Sequence, residues 1–388
     1  MDMEEKGWER LELDGEFQIC YCAADEDEVR CYIIKVPDPK ACPTTSYFSC
    51  PLLKLKDKKK EFSFTPKKLS PISQSKDIYP SRYFTLLGNL LYSVGGQTIN
   101  TDTNPNSVAY FRSKEVWTLD LTCPEEGCKA APSLKYGRKD PQTIVVDSKL
   151  YVFGGFDWEI EIEGLVEWME VFDPNLGRWE SLPNPPSYCE FRKDCQILYA
   201  HLEANNEIMV TKPPTKDGYE WNFVEFFSYN VRSRSWNELF QPSEERILVN
   251  PHIRCGRALA IGNTLYWACI ESEINIYAFD IDKKLWASEH LYTRKIFGSV
   301  NVCIEVTVLV LSTYLVWNSA LFYRHLYCFV LDLSALFHGV LNKDSNEDDE
   351  DDQHKKDDDG SVKSHLSILF IQKYLLDTDV RFLDCLIM

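Results

Sequence analysis

The chain has 388 residues, 13% of them aromatic and 26% charged, with a formal net charge of −18 at pH 7. That acidity argues against nucleic-acid binding, whose affinity rests on Lys and Arg neutralising phosphates. The first sixteen residues, MDMEEKGWERLELDGE, hold no apolar stretch, so no secretory leader is read there and the cytoplasm and/or the nucleus is expected. The fourteen cysteines are then read as reduced thiols rather than a disulfide framework.

In chain order, residues 1–15 read as a tail, and Glu16–Lys40 as two strands with a turn at Pro37-Asp38-Pro39. A basic stretch, Lys54–Lys68, marks a loop insertion over 51–70. LYSVGGQ (Leu91–Gln97) and LYVFGGF (Leu150–Phe156) then repeat the frame Leu-Tyr-x-x-Gly-Gly 59 residues apart. Fainter copies follow at Asn206–Pro214, Thr264–Ile270 and Tyr314–Asn318, without the glycine pair. Behind them runs a second element, an aromatic followed by Asp or Asn and then Trp six residues on: Asp173/Trp179, Asn230/Trp236 and Asp280/Trp286. Val116–Leu121 and Cys328–Leu333 keep the Asp but lack the Trp. The uncharged run Val306–Tyr323 has the length of a membrane span. Ser312, Thr313, Asn318 and Ser319 interrupt it at a repeat position, so it is read as two buried strands. Asp344–Gly360, inside an insertion over 343–362, is too acidic to bury apolar surface and is expected to be a disordered, solubilising loop. His365–Met388 adds two more apolar runs.

Short apolar runs punctuated by Gly, Pro, Asn and Asp are the pattern of short strands and tight turns. A small four-stranded sheet cannot bury both faces alone, so such units must stack, and a ring of them closes the core. The units resemble kelch repeats, on Gly95-Gly96, Gly154-Gly155, Phe172…Trp179, Tyr229…Trp236 and Phe279…Trp286. The resemblance covers Arg82–Leu341 and is most specific over Asp140–Pro186. It is to the galactose oxidase-like kelch superfamily, and within it to the plant F-box/kelch group, although residues 1–80 supply no recognisable F-box. It implies an all-β, kelch-type β-propeller of six four-stranded blades, closed by N- and C-terminal strands sharing a blade, as one domain over 16–388. Gly95, Gly96, Gly154, Gly155, Trp179, Trp236 and Trp286 are its structural repeat residues.

Function is sought on the rims. The loops entering the inner strands are basic, with Arg82, Arg138, Arg192, Arg254, Arg257 and Arg294. Two readings stand side by side. The arginines form a cationic mouth for an acidic segment or small anion, or they bridge blades through partners such as Asp140 or Asp194. The long segments after the glycine pairs, Gln97–Glu115 and Phe156–Glu167, form a second candidate surface, with Asp157 and Trp158 as contact residues. The seven histidines form no His-x-His or His-x-x-x-His pair, so the copper site of a galactose oxidase is not expected. Cys20-x-Cys22, Cys42…Cys50 and Cys123-x4-Cys128 lack a second pair at zinc-finger spacing. The sequence therefore predicts no catalysis, cofactor or metal, but a monomeric scaffold binding a protein partner, with no nucleic acid and no membrane. The resemblance adds two alternatives: substrate recognition for a ubiquitin ligase through a partner, and a small-molecule-binding or isomerase- or lyase-like kelch enzyme.

Overall fold

The computed structural model describes residues 16–24, 28–37, 50–51, 67–76, 83–100, 109–156, 167–186, 197–212, 225–239, 256–270, 274–291, 305–311, 314–321, 325–332, 367–375 and 381–387. The strands begin with β1 (Glu16–Ala24), β2 (Val29–Pro37), β3 (Cys50–Pro51), β4 (Lys67–Lys68) and β5 (Ser73–Ser75). Next come β6 (Tyr83–Leu87), β7 (Leu90–Val94), β8 (Gln97–Asn100), β9 (Ala109–Arg112), β10 (Val116–Asp120) and β11 (Lys129–Ala131). The second repeat holds β12 (Gln142–Val146), β13 (Lys149–Phe153), β14 (Met169–Asp173) and β15 (Arg178–Leu182). The third holds β16 (Leu198–Leu202), β17 (Glu207–Lys212), β18 (Glu225–Asn230) and β19 (Ser235–Glu238). Then follow β20 (Gly256–Arg257), β21 (Leu259–Ile261), β22 (Thr264–Ile270), β23 (Ile274–Asp280) and β24 (Leu285–Leu291). The last are β25 (Glu305–Leu311), β26 (Tyr314–Leu321), β27 (His325–Asp332), β28 (Ser367–Leu375) and β29 (Arg381–Ile387).

These strands make six sheets and one two-stranded ribbon, β8–β9. From the inside outward the sheets run β6-β7-β10-β11, β12-β13-β14-β15, β16-β17-β18-β19, β21-β22-β23-β24, β25-β26-β27-β28 and β29-β1-β2-β5. Each innermost strand lies beside the next, and β29 lies against both β25 and β6, which closes the cycle. The fold is a β-propeller, compatible with the six blades that the repeats predict. In the closing blade β29 pairs with β1 from Ile19↔Ile387 to Ala24↔Arg381, so the two ends of the chain share a sheet.

The glycine pairs end β7 and β13, inner strands of their sheets. Two details differ from the sequence expectation. The third and fifth sheets exceed four strands, because β20 adds beside β16 while β3 and β4 add beside β28. The ends of the basic insertion are thus sheet edges: Pro51 pairs with Ser367, and Lys68 with Leu375. Residues 52–66 and the acidic insertion 343–362 lie outside the described residues. Within the apolar run 306–323 the described residues lie on strands β25 and β26, paired antiparallel. No helix among the described residues is long and apolar enough to cross a membrane.

Strand periodicity explains how blades stack. On β13, Leu150 and Val152 join a cluster with Leu87, Tyr92 and Val94 of the first blade. The alternate residues Tyr151 and Phe153 join Ile197, Tyr199 and Val210 of the third. Successive side chains point to opposite faces, so a strand buried on both sides reads as a continuous apolar run. In the closing blade, Cys20, Cys22 and Cys31 are buried thiols. The Sγ of Cys22 lies 3.9 Å from that of Cys20 and 4.0 Å from that of Cys31. They act there as small core side chains.

The Asp-to-Trp spacing is a hairpin between third and fourth strands. Phe172 pairs with Trp179, Tyr229 with Trp236 and Phe279 with Trp286. The leading Asp or Asn caps the turn: Asp173 Oδ1 accepts from the N–H of Asn175 at 2.9 Å, and Asn230 Oδ1 from that of Ser233 at 2.9 Å. Asp280 Oδ1 accepts from the N–H of Lys283 at 2.9 Å. The fourth turn position is left-handed in all three, with φ of 62° at Gly177, 54° at Arg234 and 55° at Lys284. Two of the tryptophans then reach the preceding blade. Trp179 Nε1 donates to the Pro132 carbonyl at 2.7 Å, and Trp236 Nε1 to that of Pro183 at 2.8 Å.

Candidate functional site

Hairpin turns gather on one face of the ring. The opposite rim carries the blade-to-blade connections and the segments after the glycine pairs, where the candidate residues were placed. The connection from β11 to β12 shows what the glycines do. Gly96 N–H donates to the Arg138 carbonyl at 2.8 Å, Arg138 N–H to the Ser113 carbonyl at 3.0 Å, and Lys139 N–H to the Gly155 carbonyl at 2.9 Å. Two blades therefore grip one backbone segment. A Cβ on Gly95 (φ 64°) would stand 2.7 Å from the Arg138 carbonyl oxygen, and one on Gly155 (φ 78°) would stand 2.9 Å from Pro141 N. Both close approach and positive φ demand glycine. Gly155→Ala is expected to lower the unfolding free energy by about 1–3 kcal/mol, read as a shift in the urea midpoint.

Arg138 is not a rim ligand. Its side chain is fully buried and ion-paired to the equally buried Glu170, Nη2 to Oε1 at 2.9 Å. Nη1 donates to the carbonyls of Gly154 and Trp168 at 2.6 and 2.8 Å, and Nη2 to that of Glu167 at 3.1 Å. The guanidinium carbon sits 4.6 Å from the centre of the Phe156 ring. Glu170 in turn accepts from the N–H of Lys135 at 2.7 Å. This corrects the expectation that Arg138 contacts a partner. It bolts the entering loop to its own blade through the carboxylate of Glu170. Sequence reasoning missed Glu170, although a lone Glu inside the apolar run Trp168–Phe172 was a signal.

Among the other expected contact residues, Arg257 is exposed on β20. Arg82, Arg192, Arg254, Arg294, Asp157 and Trp158 lie outside the described residues. What the rim does present is the β8–β9 ribbon, formed from the ends of the segment after the first glycine pair. Its seat is fixed, because Ser113 N–H donates to the Gly96 carbonyl at 2.8 Å and Ser113 bridges to Arg138. On β9, Phe111 is 52% exposed. Beside it, the Arg112 guanidinium lies 5.6 Å from the Phe156 ring centre, the ring that Arg138 also faces. Arg112 Nη1 is buried and has no hydrogen-bond partner among the described residues. Among those residues no group of three His, Cys, Asp or Glu side chains could hold a metal ion.

The Kelch motif family matches residues 137–186, the stretch that holds Arg138, Gly154-Gly155, Glu170 and the Asp173-to-Trp179 hairpin. The chain carries a kelch motif. An F-box/kelch-repeat protein of Arabidopsis thaliana is 35% identical over 99 residues, which are 26% of this chain and 21% of that protein. A putative F-box/kelch-repeat protein of the same plant is 24% identical over 245 residues, 61% of this chain and 56% of its own length. The chain thus spans about a fifth of the first relative and just over half of the second. Among solved structures, YjhT aligns over 82% of this chain and 95% of its own at a TM-score of 0.45 and 13% identity, too distant a likeness to speak for a ligand.

Proposed function

We propose that this kelch-repeat chain is a non-catalytic scaffold that holds a protein partner on its connection rim, in the cytoplasm or nucleus, with the β8–β9 ribbon as the contact. The observation that carries this reading is the exposed Phe111 on β9, followed by Arg112, whose Nη1 has no hydrogen-bond partner among the described residues. An aromatic that gains by burial and an arginine are among the side chains that dominate interface energetics. An acidic segment on the partner supplies what Arg112 and the exposed Arg257 would bind, since Arg pairs carboxylates with two parallel donors. Kelch-repeat relatives with F-box in their names support a second, narrower reading, in which the propeller selects substrates for a ubiquitin ligase through a partner.

The test is quantitative affinity capture from the source cells with wild type and the pair Phe111→Ala/Arg112→Gln. A partner bound through the ribbon is expected to fall at least about ten-fold. Phe111→Ala alone should leave the thermal midpoint in place, because substitutions at exposed positions usually stay within about 0.5 kcal/mol. Unchanged capture of every partner would remove the ribbon from the contact. Ligase subunits among the lost partners would favour the narrower reading.

A further inference from the structure

The hairpin-turn face, on the far side of the ring from the ribbon, carries a separate feature. Between the second and third blades lies a cleft of about 230 Å³, walled by the turns at Asp147–Lys149, Asp173–Arg178 and Val231–Arg234. Its polar content does not balance. The Lys149 ammonium is held by Asp173 at 2.8 Å, and the Arg234 guanidinium clasps Glu180 through two bonds at 2.7 and 3.1 Å. The Asp147 carboxylate accepts from Asn206 Nδ2 at 2.7 Å. That leaves Arg178 and Arg232, both lining the cleft and exposed, whose guanidinium groups make no hydrogen bond or ion pair with any described residue. Four cations face three carboxylates there, an excess of positive charge in a chain of net charge −18.

A second, independent observation points the same way. Tyr229 lines the cleft at 1% exposure, and its hydroxyl is buried without a hydrogen-bond partner among the described residues. Tyr151, 4% exposed, lines it too. Burial pushes Tyr229 up to about 12 and Tyr151 above the usual tyrosine range, so each phenol stays protonated at neutral pH and can donate. A buried hydroxyl left unpaired is costly, and a native fold that keeps one generally supplies an acceptor from outside the chain. Val171, Leu182 and the 60%-exposed Leu176 give the same cleft an apolar wall and lip.

We propose that this cleft binds a small organic anion, its carboxylate or phosphate head on Arg178, Arg232 and the Tyr229 hydroxyl, and its short apolar body against Val171, Leu176 and Leu182. The site does not share a residue with the ribbon, so either can fail without the other.

Isothermal titration calorimetry on the full chain at physiological ionic strength tests it with phenyl phosphate, phenylacetate and inorganic phosphate. At least one aromatic anion should bind saturably, one per chain, and about ten-fold or more tighter than inorganic phosphate, because the body buries apolar surface. The tighter of the two aromatic probes identifies the head group. Arg178→Gln with Arg232→Gln should weaken that probe about ten-fold or more. Tyr229→Phe should weaken it roughly five- to ten-fold while leaving the unliganded thermal midpoint no lower, since it removes an unpaired group. Four results would overturn the proposal. They are no saturable binding of any probe, inorganic phosphate binding as tightly as the aromatic anions, affinity untouched by the arginine pair, and a fall in the unliganded midpoint of Tyr229→Phe with affinity unchanged. The last would mean that the hydroxyl serves the fold.

Discussion

Replacing Arg138 with alanine is expected to lower the unfolding free energy by about 3–5 kcal/mol, the cost of breaking a buried ion pair from one side. Both charged side chains are fully buried, so water cannot step in for the lost partner. The carboxylate of Glu170 would keep the amide donors of Lys135 and Tyr136 but no cation. Three carbonyls, at Gly154, Glu167 and Trp168, would also lose their guanidinium donor. Arg138→Lys is expected to recover little, because a compact ammonium lacks the planar fork that meets Glu170 and the three carbonyls together. Arg138→Met combined with Glu170→Leu should recover part of the loss, since removing both charges leaves no orphan. Urea midpoints on the single and double variants check this. A single-variant loss below about 1 kcal/mol would mean that the loop opens readily, and would return Arg138 to the rim as a binding residue. Loss of partner capture in an Arg138 variant would not show direct contact, because the Arg138 backbone also seats the ribbon through Ser113 and Gly96.

The difference between the two readings of Arg138 marks where sequence stops being informative. Local devices were legible. Asp173, Asn230 and Asp280 cap turns through their own side chains within three residues, so the spacing to Trp179, Trp236 and Trp286 is written in the chain itself. Repetition then exposed the architecture, because equivalent blades need equivalent strands. The chemistry of the rim was not legible, because it depends on long-range partners. Arg138 meets a carboxylate 32 residues on, and the enclosing glycines come from two different repeats. The segment Gln97–Glu115 could be seen as long but not as a ribbon that turns Phe111 outward. The cleft was further out of reach. Its tyrosines and arginines come from hairpins in two repeats, and each alone looks like an ordinary strand or turn residue. Charge in sequence shows only that a side chain must find water or a partner; burial decides which, and burial is set by the neighbouring blade.

Trp179→Ala should cost about 3–5 kcal/mol, in the range of large aromatic truncations in cores. Trp179 is 7% exposed and packs 5.2 Å, centre to centre, from Phe172. It belongs to the cluster that joins Tyr92 and Val94 of the first blade to Leu150 and Val152 of the second. Its Nε1 bond to Pro132 ties the same two blades, so the residue acts as packing and as latch. Trp179→Phe separates the two roles. It keeps much of the apolar surface but leaves the Pro132 carbonyl without its donor, and about 1–2 kcal/mol is the expected cost. Trp236 makes the equivalent bond to Pro183 but is only half-buried, so Trp236→Ala should cost less than Trp179→Ala. Urea midpoints on the three variants decide between packing and latch. Equal losses at Trp179→Ala and Trp236→Ala would assign the energy to the shared hydrogen bond, whereas losses ranked by burial would assign it to the apolar contact between blades. The second ranking is expected, because a net hydrogen bond contributes about 1 kcal/mol while a buried indole contributes several times that. On that ranking the ring is held shut by blade-to-blade packing, and the Trp-to-Pro bond sets the angle at which one blade meets the next.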